Sequence, residues 1–151
     1  HGIRSGTLSV HNIVGMGKAC ELAKEVMKEE NQKIGALRNQ LLKSIMNDIP
    51  NIKINGSMDK RLPGNLNISF PRMNNESIIA AVPEIAISTG SACTTSTIEP
   101  SHVLLSLGLS KNETYSSLRF GIGRFNTKKD IETAAEAMNR CLEKLHNVSC
   151  A

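Results

Sequence analysis

The chain has 151 residues, 40% of them apolar, 21% charged, with three Phe, one Tyr and no Trp. This fits one ordinary core built from Ile, Leu, Val, Met and Ala. No run approaches the roughly 18 apolar residues that span a bilayer, and the net charge of +4 is scattered with both signs and without interleaved aromatics. These features argue against a transmembrane helix, a secretory leader and direct nucleic-acid binding. They favour a cytoplasmic protein or, alternatively, one of the mitochondrial matrix.

The first residues, "HGIRSGT", read as the interior of a longer protein. From Ser9 the period becomes helical, with Ile13, Met16, Cys20, Ala23 and Met27 on one stripe, so Cys20 is expected in a core. Gly15 and Gly17 in "VGMGKA" have no strand before them and do not form a phosphate loop. A second helical run places Ile34, Leu37, Leu41, Ile45 and Ile49 on one face and stops at Pro50.

The period then shortens to two. "NIKIN" and "GNLNISF" read as strands, followed by a short helix "ESIIAAV" near Pro83 and a third strand "EIAIS". Beyond it lies "STGSACTTST", which sets Cys93 among small polar residues. Pro100 suits the first position of a helix "PSHVLLSLG" that Gly108 closes. "SSLRFGIGRF" is a fourth strand, with Leu118, Phe120 and Ile122 on one face and Arg119, Gly121 and Gly123 on the other. A last helix repeats Ile131, Ala134, Met138, Cys141, Leu142 and Leu145, which makes Cys141 a core residue. The expected fold class is α/β, a two-layer domain of about four strands covered by helices.

The four cysteines show no disulfide or C-x-x-C spacing, and His1, His11 and His146 form no ligand spacing with them. Free thiols and no all-protein metal site are expected. Five N-x-[ST] triplets, at Asn55, Asn67, Asn75, Asn112 and Asn147, reflect an Asn-rich composition.

For Cys93 two readings stand, an exposed loop cysteine or a nucleophile. The second needs a thiolate and an activating group that is not visible in the sequence. His102 is either a base close in sequence or a solvated helical side chain. Arg119 fits a carboxylate grip, with glycines leaving room beside a planar guanidinium, or a wet strand face.

The blocks "RSGTLSVHNIVGMGKA", "LPGNLNISF", "STGSACTTSTIEPSHVL" and "SSLRFGIGRF", in this order, closely resemble the carboxyl-terminal part of the IscS/NifS-type cysteine desulfurases. These are pyridoxal-phosphate enzymes of fold type I, related to class V aminotransferases and working as homodimers. The resemblance implies that residues 1–30 end the large cofactor-binding domain, and that residues 31–151 form the small carboxyl-terminal domain with the cysteine loop. It implies L-cysteine as substrate, alanine as product and a persulfide on Cys93. Arg119 matches the residue that grips the substrate carboxylate, and Thr7 matches a threonine that reaches the cofactor phosphate across the dimer interface. The resemblance further implies transfer of sulfur to an IscU-type scaffold for iron-sulfur assembly, a use in tRNA thiolation, and Cys93 as a metal ligand in a transient 2Fe-2S cluster.

Two departures stand near the loop: His102, where relatives often carry an aromatic residue, and Pro83, where a helix more usually continues. No lysine present matches the context of the family's Schiff-base lysine, so this stretch alone is expected to be inactive. A non-catalytic persulfide carrier and a selenocysteine lyase are the alternatives.

Overall fold

The structure is a computed structural model that describes residues 5–49, 51–89 and 99–149. One helix, α1 (Val10–Asp48), runs through both helical stretches read from the sequence. Two short strands follow, β1 (Lys53–Ile54) and β2 (Asn65–Ser69), then helix α2 (Asn75–Ala81), capped by the Asn74 side chain, which accepts from the backbone of Glu76 and Ser77. After residue 98 come α3 (His102–Ser106), α4 (Lys111–Tyr115), β3 (Ser117–Gly121) and α5 (Lys128–Ser149).

The sheet is antiparallel, in the order β1-β2-β3. Its register sets Leu66 opposite Phe120, Asn67 opposite Arg119 and Ile68 opposite Leu118. The period-2 pattern therefore sorts one apolar face against the helices and one polar face away from them. Leu66, Ile68, Leu118 and Phe120 pack with Leu37, Leu41 and Ile45 of α1 and with Ile131, Met138, Cys141 and Leu142 of α5. At roughly 1.5–3 kcal/mol for each large side chain buried, this layer accounts for the main stabilisation of the fold.

Three expectations need correction. "EIAIS" is not a strand: only Ser88 pairs, as a single antiparallel bridge to Arg119, so among the described residues the sheet has three strands and one bridge. Pro83 lies inside a turn in which the Ile85 N–H donates to the Val82 carbonyl, and pairing with the sheet waits until residue 88. Pro100 is not the first residue of a helix; Ser101 caps α3, its hydroxyl accepting from the Leu104 N–H at 3.4 Å.

Cys20 is exposed rather than core, as are Ile13, Met16, Ala23 and Met27 on the same stripe. The amphipathic period is real, but among the described residues no element covers this end of α1. Its other half behaves as expected, with Leu37, Leu41 and Ile45 buried and Ile34 and Ile49 partly so. Cys141 is buried in the core as read, while the side chain of Leu145 lies outside the described residues.

Candidate active site

The polar face of the sheet changes character along its length. At one end Asn55 is buried, its amide nitrogen donating to Asn67 Oδ1 at 2.7 Å, Ser69 Oγ at 2.8 Å and Ser117 Oγ at 3.1 Å. The Ser69 and Ser117 hydroxyls lie 2.7 Å apart, and Ser117 donates to the Glu113 carbonyl at 2.6 Å. A buried carboxamide is tolerated there because its hydrogen bonds are made. Two residues further along β3 the same face opens, and Arg119 and Gly121 are exposed.

Arg119 is flanked on both sides, and its own backbone hydrogen bonds go to Ser88. Asn67 lies opposite it on β2. On the other side its N–H donates to the Ser88 carbonyl at 2.7 Å, and its carbonyl accepts from the Ser88 N–H at 3.2 Å. Its guanidinium also donates to the Ser88 hydroxyl at 3.3 Å. A planar cation on a paired strand, beside a glycine, has the chemistry of a carboxylate receptor.

Thr7 is exposed, one residue after Gly6 at φ +85° and shortly before α1 begins. The amino terminus of α1 has no side-chain cap and no acidic residue in its first turn. That donor set and that partial positive charge fit an anionic phosphate. His102 opens α3 and is exposed.

Cys93 lies outside the described residues. In sequence it follows Ser88 by five positions.

Sequence reasoning missed Ser88 as a partner of Arg119, since a strand reading of 84–88 gives no register. It also missed α4, although Ser110 and Glu113 form a reciprocal cap, with Ser110 N donating to Glu113 Oε2 at 2.7 Å and Glu113 N to Ser110 Oγ at 3.3 Å. The S-x-x-E spacing in "SKNE" was the available signal.

A family model described as "Aminotransferase class-V" matches residues 1–133. The chain belongs to the class-V aminotransferase family. It is 49% identical over 148 residues to "Cysteine desulfurase IscS" of Ruthia magnifica subsp. Calyptogena magnifica, covering 98% of this chain and 36% of that relative. A protein of the same name from Colwellia psychrerythraea is 46% identical with the same coverage. The class-V member thus spans little more than a third of the length of the curated relatives it matches.

Among solved structures, the NifS-like protein from Rickettsia africae superposes with a TM-score of 0.80 at 30% identity, over 93% of this chain and 37% of that one. DndA from Streptomyces lividans gives 0.60 at 27% identity, over 80% and 34%. The resemblance to IscS/NifS-type proteins and the α/β fold class inferred from the sequence are both supported by these matches.

Proposed function

We propose that this class-V chain is the sulfur-accepting part of a pyridoxal-phosphate-dependent cysteine desulfurase, which converts L-cysteine to L-alanine and leaves a persulfide on Cys93. The observation that carries the reading is Arg119, exposed on a doubly paired strand and joined through Ser88 to the stretch of sequence containing Cys93. The 46–49% identity to proteins named cysteine desulfurase supports the same reading.

In this reading residues 1–30 end the large domain and 31–151 form the small one. The exposed apolar stripe of α1 supports that division, since it requires a cover from elsewhere: Ile13, Met16 and Met27 each expose more than half of their surface.

Each residue then has a defined task. Arg119 grips the substrate carboxylate through charge-assisted hydrogen bonds, fixing the distance between the substrate sulfur and the nucleophile. The Thr7 hydroxyl donates to the cofactor phosphate. Pyridoxal phosphate, when bound, supplies the electron sink for cleavage of the substrate carbon–sulfur bond. The Cys93 thiolate attacks the substrate sulfur; the new sulfur–sulfur bond forms as the carbon–sulfur bond breaks, and the carbon is protonated to give alanine. The residues next to Cys93 in sequence are small, which suits a sulfur that must be reached for attack and later transfer. The Schiff-base lysine would come from outside this stretch.

The acceptor is proposed to be an IscU-type scaffold, the assembly a cytoplasmic homodimer, and Cys93 a shared ligand of a nascent 2Fe-2S cluster carried as cargo. The test is Cys93→Ala in the full-length protein. Persulfide formation is expected to vanish while the cofactor spectrum is retained; undiminished sulfur transfer would refute the assignment. A selenocysteine lyase would instead show turnover of selenocysteine with L-cysteine left unreacted.

A further inference from the structure

We infer that Ser88 is a positioning residue for substrate recognition, orienting the Arg119 guanidinium. This inference rests on the assignment of Arg119 to the substrate carboxylate. Three contacts carry it. The backbones of Ser88 and Arg119 exchange hydrogen bonds at 2.7 and 3.2 Å, and Ser88 Oγ accepts from an Arg119 terminal nitrogen at 3.3 Å.

The backbone pair sets position and the hydroxyl sets direction. An exposed arginine has several rotamers of similar energy, and binding a carboxylate through two parallel hydrogen bonds requires one of them. A hydroxyl that accepts from one guanidinium nitrogen lowers the ordering cost before substrate arrives. Since a hydroxyl carries one donor and two acceptor sites, Ser88 can hold the guanidinium without competing for its charge, as a carboxylate would.

The experiment is a double-mutant cycle in the full-length protein with cofactor bound, reading KM and kcat for L-cysteine. Ser88→Ala keeps the backbone pair and removes the hydroxyl. The expected result is a KM raised about three- to tenfold with kcat within about twofold, in the range of one exposed hydrogen bond to a charged group. Ser88→Thr restores the hydroxyl and is expected to return KM toward the starting value. In an Arg119→Ala background Ser88→Ala should add nothing.

If Arg119→Ala raises KM and Ser88→Ala does not, the positioning role is overturned while the carboxylate role stands. If Arg119→Ala leaves KM unchanged, the carboxylate role falls and this inference with it. Independent, additive effects of the two substitutions, or a loss in Ser88→Ala that Thr does not rescue, would mark Ser88 as merely structural and also overturn it.

Discussion

Gly64 and Ile122 approach so closely that a Cβ built on Gly64 would stand 2.0 Å from the Ile122 carbonyl oxygen, while the Ile122 N–H donates to the Gly64 carbonyl at 2.8 Å. This contact joins the start of β2 to the end of β3, just beyond Arg119 and Gly121. Ile34 of α1 closes the third side at 3.0 Å. The obstacle is backbone, so it cannot rotate away.

Gly64→Ala is therefore expected to destabilise the fold by about 1–3 kcal/mol or more, since the two strands must separate to admit the methyl group. Urea denaturation measures this through a lowered midpoint. A variant of unchanged midpoint would mean that the strands part without cost.

Asn55 tests the polar half of the sheet face. Its amide nitrogen donates to three side-chain oxygens, and its Oδ1 accepts from Ser69 at 3.1 Å. Asn55→Asp removes the donor and sets a carboxylate against Asn67 Oδ1 in a buried site. A loss of about 3 kcal/mol or more is expected, exceeding that of Asn55→Ala. Thermal unfolding of the two variants side by side checks the order, and an Asp variant at least as stable as the Ala variant would contradict it.

Glu113 gives a pH dependence. The side-chain hydrogen bond from Lys53 at 2.7 Å, followed by donors from Ser110, holds its carboxyl at about 2, below the ordinary 4.5. A depressed folded-state value means that the unfolded chain binds the proton first as pH falls. The contribution is present above about pH 4.5 and lost as the pH drops toward about 2. Denaturation midpoints followed across that window should fall more steeply for the natural chain than for Glu113→Gln, and added salt should weaken the difference because the pair is exposed.

Cys141 and Cys20 provide an internal comparison. Burial, with a smaller contribution from Glu84, raises the Cys141 thiol above its ordinary value, and its side chain sits in the core. Alkylation at neutral pH should be slow at Cys141 in the folded state and become fast in urea. Mass spectrometry of the labelled peptides reads this directly. Rapid native labelling at Cys141 would mean that the α5 face of the core opens.

Much of the fold was legible because the two periods of the sequence are clean. The stripe Leu37, Leu41, Ile45 and the alternation through Leu118 and Phe120 point to the core they form. The reading failed where periodicity alone decided burial. Cys20 lies on a regular stripe, but a stripe says only that a cover is preferred, not that one is present in this chain. It failed again at residues 84–88, where apolar Ile85 and Ile87 look like a strand. They instead pack partly against the core as an irregular segment that pairs only at Ser88.

Of the candidate site, Arg119 was legible through its alternating neighbours, and its exposure agrees with the sequence. Its partner was not, because a contact between positions 31 residues apart depends on the register of a single bridge. Thr7 was named through resemblance alone; it is exposed shortly ahead of a helix without a side-chain cap.

On the proposed function, sulfur from L-cysteine comes to rest on residue 93. Brief reaction of the full-length, cofactor-loaded protein with L-cysteine, alkylation and peptide mass spectrometry would locate it. One additional sulfur is expected on the peptide carrying Cys93 and none on those carrying Cys20 or Cys141. Extra sulfur confined to another cysteine, or alanine formed with Cys93 unmodified throughout, would contradict it.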